Sequence, residues 1–115
     1  MNDKGKDAPP NPALLQNLRV AVRSHRLVHL ASGDGRGSKL FAPHAIYRDM
    51  SGKLCVVGYE LPTPRSIMTE EGSRTVPIAQ INELSLTSYR FNPHPTFNSR
   101  SRKFEGGVMC AVDRV

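Results

Sequence analysis

The sequence predicts an α+β domain of mainly β character. One N-terminal helix leads into a small, strongly bent, five-stranded antiparallel sheet, closed or nearly closed, and a C-terminal arm follows. Three observations predict this. Leu14, Leu18, Ala21 and Val22 recur at i, i+4, i+7 and i+8, which lines one face of a helix. From Leu27 to Arg90 the apolar residues instead come in short runs or alternate, separated by clusters of Gly, Ser, Asp and Pro. The chain has 115 residues, enough for one modest core and not for two.

Each element follows from local chemistry. Residues 1–10 are polar, without periodicity, and end in Pro9-Pro10, which reads as a disordered lead. Asn11 is an N-cap with Pro12 at the first helical position, and the helix runs to Ser24 or Arg26. Leu27 to Ala31 forms a first strand. Ser32 to Ser38 is rich in Gly and reads as a hairpin loop; a phosphate-cradling loop would need a helix after it, and a strand pattern follows instead. Lys39 to Arg48 is a second strand, with Pro43 marking an edge or a bulge because it donates no ladder hydrogen bond. Asp49 to Gly52 turns the chain into a third strand, Lys53 to Glu60, apolar on both faces and therefore central, with Gly58 marking a bend. Leu61 to Gly72 is a long loop. Ser73 to Ile78 is a fourth strand, and Pro77 argues that it is an edge. Asn82 to Arg90 alternates as a half-buried fifth. The domain proper spans 11–91. The arm, 92–115, carries Phe97 and Phe104 to pin it to the sheet, and Val108 to Val112 adds a terminal strand or packs as a tail.

Composition narrows the function. The net charge is +6, which favours polyanionic partners or simply solubility. The positive charge is concentrated: Arg90, Arg100, Arg102 and Lys103 lie in a stretch with no acid. Arg100, Arg102 and Lys103 are therefore candidate contacts for nucleic-acid phosphates, against the plainer alternative that they are solvated. Arg19, Arg23 and Arg26 form a second stripe, read as a solvated helix face, with phosphate contact as the alternative. Aromatic residues are 6% and Trp is absent, which argues against a large base-stacking platform. Cys55 and Cys110 sit in apolar runs and read as small packed side chains rather than a disulfide framework. The four histidines, His25, His29, His44 and His94, show no metal-ligand spacing, and no Gly-x-Ser-x-Gly elbow is present. No catalytic residue, cofactor or metal is expected. Nor is any membrane span or secretion signal, which leaves a cytoplasmic location as the expectation.

The order of landmarks resembles the WYL domain, a small SH3-like or Sm-like barrel of bacterial transcription regulators. Lys39 stands four residues before Pro43, in the place of the first arginine of an Arg-x-x-x-Pro element. Gly58-Tyr59 is similar to the Gly-Tyr that ends the central strand, and Leu54-Cys55-Val56 occupies the name-giving Trp-Tyr-Leu position. Arg74 takes the second arginine's place, followed by Val76 and Ile81 at the apolar positions of the Arg-x-Phe-x-x-x-x-Ile segment. The resemblance implies a five-stranded SH3/Sm-like barrel that senses a nucleic acid or nucleotide-like ligand, paired with a separate DNA-binding regulator protein. It also implies one concave anion site lined by Lys39, His44, Tyr59 and Arg74, with Tyr59 stacking on a base. The rival expectation is a protein–protein module whose open sheet edges pair, giving for instance a homodimer.

Overall fold

A computed structural model of the chain describes residues 11–33, 38–61 and 73–114. Three expectations fall outside the described residues: the disordered lead over 1–10, the tip of the Ser32–Ser38 hairpin loop, and the Leu61–Gly72 loop apart from Leu61, which ends a strand. The protein is a small α+β fold: one helix, α1 (Pro12–Ser24), and six strands, β1 (Arg26–Ser32), β2 (Lys39–Arg48), β3 (Leu54–Leu61), β4 (Ser73–Pro77), β5 (Ile81–Arg90) and β6 (Val108–Ala111).

α1 begins where the sequence predicts. The Asn11 side chain accepts hydrogen bonds from the N–H groups of Ala13 and Leu14, satisfying donors that the first helical turn leaves free. It ends because His25 takes a left-handed conformation at φ 57°, and its N–H closes onto the Ala21 carbonyl. Leu18, Ala21 and Val22 are fully buried on the predicted face.

The sheet is antiparallel throughout, in the order β4-β3-β2-β1-β5, with β6 paired to β2. β2 changes partners along its length. Leu40 and Phe41 pair with His29 and Val28 of β1, whereas Ala45 and Ile46 pair with Ala111 and Cys110 of β6. The exchange falls at a register shift between Pro43 and Ala45 against β3. A proline has no N–H to give a ladder, so the pairing breaks where Pro43 stands. The extra residue in that bulge is His44. Gly58 lies opposite Pro43, and only a glycine fits: a Cβ there would sit 2.1 Å from the Ala42 carbonyl oxygen.

Both faces of β2 and β3 are covered. On one, Leu18 and Val22 of α1 pack with Val28, Phe41, Ile46, Val56 and Val76. On the other, the arm lays Phe104 over Tyr47, Cys55, Val57 and Ala45. The sheet itself is not closed; β4 and β5 stand at its two ends and do not pair with each other among the described residues. Of the expected five-stranded sheet, closed or nearly closed, the structure bears out the helix and the antiparallel, strand-rich α+β character, without closure into a barrel. The physical reason lies in the covering layers: α1 and the arm bury the two faces, so a helix and a loop do what strand-to-strand closure would otherwise do.

Candidate functional site: a cleft between the sheet and the arm

His44 organises the site. The bulge turns its ring into the protein, where it is fully buried. Its Nδ1–H donates to the Ala42 carbonyl at 2.9 Å, and its Nε2 accepts the backbone N–H of His94 at 2.9 Å. Those two bonds fix one neutral tautomer. Burial is the main cause of a pKa lowered from 6.5 to about 4, and His94 and His25 push in the same direction. Four aromatic rings surround or extend from it. Phe91 stacks at 5.1 Å, Tyr59 and Phe97 approach edge-on at 4.9 and 5.3 Å, and His94 lies parallel to Tyr59 at 4.8 Å. The arm is thus latched to β2 and β3 at its beginning. Its later part is held by Phe104, edge-on to Tyr47 at 4.7 Å, and by the Ser99 N–H bond to Asp113 at 3.0 Å.

Between sheet and arm lies a cleft of about 210 Å³. His44, Val57, Tyr59, Phe97 and Phe104 form its floor. Its mouth is exposed and polar: Ser73 from β4, and Thr96, Asn98, Ser101 and Lys103 from the arm. Ligand clefts for drug-sized molecules run from about 300 Å³ upward, so this one takes a single small head group rather than an extended molecule.

The structure distributes the sequence-predicted residues unevenly. His44, Tyr59 and Lys103 meet in the cleft. Arg100 and Arg102 are exposed on the same arm segment. Lys39 is exposed at the start of β2, outside the cleft lining. Arg74 follows Ser73 in β4 and so projects from the opposite face of the sheet. There its guanidinium pairs with Glu60 and donates to Ser32 Oγ at 3.0 Å. Lys39, His44, Tyr59 and Arg74 therefore do not line one surface. A one-residue step along a strand reverses the face, and Arg74 has its own counter-ion. Tyr59 is 5% exposed and carries His94 on its ring, so a base reaches that ring only by displacing His94.

Sequence reasoning missed His94, which reads as an ordinary loop residue between Pro93 and Pro95. Those flanking prolines were the available signal, because they fix the backbone that aims its N–H at His44. Ser73, Thr96, Asn98 and Ser101 had no signal at all.

Other chemistry is sparse. Burial pushes both the Cys55 and Cys110 thiols up, away from the reactive thiolate, and both cysteines are free. Among the described residues, no group of three or more His, Cys, Asp or Glu is placed to hold a metal ion, and no helix is long and apolar enough to cross a membrane. Comparison with protein-family models, with curated proteins and with solved structures gives no match in any of the three.

Proposed function

We propose that this is a non-catalytic regulatory domain that binds a nucleic acid or nucleotide-like anion through the arm and the cleft beside it. The carrying observation is the cleft itself, which joins an aromatic floor to a polar mouth and to Lys103. Arg100 and Arg102 extend that positive charge along the exposed arm. The size of the cleft suits one base or one phosphate, with the neighbouring phosphates of a single strand left to the arginines. The WYL-like landmarks, Lys39 before Pro43, Gly58-Tyr59 and Arg74, support a sensor role in transcription regulation beside a separate DNA-binding protein. In this reading the anion site lies on the arm rather than at Lys39 and Arg74.

The test is fluorescence anisotropy of labelled single-stranded DNA and RNA at two salt concentrations. The R100A/R102A/K103A variant should lose binding, and R74A should keep it. Three phosphate contacts give a log–log salt slope of roughly −2 on a single strand. Binding that survives the arm variant but is lost in K39A/R74A would move the site to the family-like position. No binding at low salt would sink the reading.

A further inference from the structure

We propose that the corner where β1 begins and β5 ends is a second contact point for the single strand assigned to the cleft, with Arg26 and Arg90 holding a phosphate and Tyr89 stacking on a base. The inference rests on that reading and adds residues the reading does not use. Segments far apart in sequence converge at this corner. Arg26 opens β1, Arg90 closes β5, and the two are cross-strand partners. The Phe91 N–H donates to the His25 carbonyl at 2.9 Å, which ties the end of β5 to the reversal between α1 and β1. Arg23 is exposed in the last turn of α1, just before that reversal.

Two arginines directly opposite each other repel. Among the described residues neither guanidinium pairs with a carboxylate, whereas Arg74 has Glu60. An anion seated between them removes the repulsion, and a phosphate matches the planar fork of each guanidinium. Arg26 is already positioned for it. Its Nε donates to the Thr87 carbonyl at 2.9 Å, which holds the guanidinium against β5. Among the described residues, its two terminal nitrogens are left without a partner.

A bulge presents the ring. Leu86 pairs with Val28 and Arg90 with Arg26, so Thr87, Ser88 and Tyr89 stand against Leu27 alone. Thr87 pins that bulge: its hydroxyl donates to the Leu27 carbonyl at 2.7 Å and accepts the Tyr89 N–H at 3.1 Å. Bulges re-aim side chains, often beside functional sites. Tyr89 is 53% exposed and adjoins the exposed Arg90. An exposed ring beside guanidinium groups takes a base together with its phosphate, whereas a bare phosphate would use the arginines alone. The corner also leads to the cleft. Thr96, at the cleft mouth, is six residues on from Arg90, a span of at most about 21 Å. Asn92, Pro95 and Thr96 along that path are exposed. Such a path fits within the roughly 4–16 nucleotides that a small single-strand-binding domain covers.

Amide NMR shifts of the wild type, with a thymidine dinucleotide and with an oligothymidylate of about 16 nucleotides, test it together with anisotropy of the long strand. The dinucleotide should shift cleft and arm amides; the long strand should also shift those of residues 87–91. Y89A/R90A should weaken the long strand about tenfold or more and leave the dinucleotide shifts unchanged. R90A alone should flatten the log–log salt slope by about 0.7. On an abasic strand of the same length Y89A should match the wild type, because no base is left to stack. Both side chains are exposed, so neither change touches the core, and the wild-type shifts need no variant. Residues 87–91 unmoved by the long strand while the arm responds would overturn the inference and leave the cleft reading standing. Shifts at 87–91 that survive R100A/R102A/K103A, with none in the arm, keep the corner and remove the cleft. A Y89A loss that persists on the abasic strand overturns the base stack. No shift with either strand at low salt sinks both.

Discussion

His44 has two hydrogen bonds that only a neutral ring in one tautomer can make together, and that sets a pH dependence. In the unfolded chain the imidazole titrates at its ordinary 6.5, and in the fold at about 4. As pH falls through 6.5 the unfolded chain takes up a proton that the folded chain does not. Stability is therefore complete above about 6.5 and declines until about 4, where the folded ring protonates too. The full decline is about 3 kcal/mol. Urea midpoints measured from neutral pH downward should show this slope. H44F should remove it, while costing about 1–3 kcal/mol at neutral pH because the His94 N–H and the Ala42 carbonyl lose their partner. A slope that persists in H44F would assign it to another group. Nothing in the sequence marks His44 as a latch: a histidine after a proline in a strand reads equally as an exposed ligand. The ion pair of Arg74 was illegible for a related reason, since Glu60 lies 14 residues away and meets it only once β3 and β4 pair.

At the level of elements, the junction of β2 and β3 and the docking of the arm carry the fold. Gly58→Ala drives a Cβ into the Ala42 carbonyl, which is backbone and cannot rotate away. The expected loss exceeds about 3 kcal/mol, read as a collapse of the thermal midpoint or as failure to fold. Phe104→Ala removes the ring that meets Tyr47 and should cost about 3–5 kcal/mol. If the arm docks as a unit, early cleavage by chymotrypsin within residues 92–107 should accompany that loss; unchanged protection would show that the His44 latch alone suffices. These elements were unequally legible. α1 was plain from its cap and its period because both signals are local. Pro43 and Gly58 pointed to an irregularity, but not to the fact that both stand at one break in the ladder. β6 could be read as a strand, yet its partner could not, because four residues say nothing about which edge they will join.

For the whole molecule, the strand-rich character and the N-terminal helix followed from apolar periodicity, and the open sheet did not. Closure depends on whether the two end strands reach each other, a global property to which no local pattern corresponds. The arrangement that emerges is a sheet sandwiched between a helix and an arm, with the candidate ligand cleft against one face.

The exchange of partners along β2 also orders events in time. β1, β2 and β3 are neighbours in sequence and can pair as soon as they exist, but the strand that completes the second half of β2 lies more than sixty residues downstream. Long loops close slowly, since their ends must find each other before any contact rewards them. During synthesis the segment around Ala45 to Tyr47 therefore waits with one side bare until Val108 to Ala111 has emerged. That interval is when a nascent chain of this protein is most open to a chaperone, or to a wrong strand.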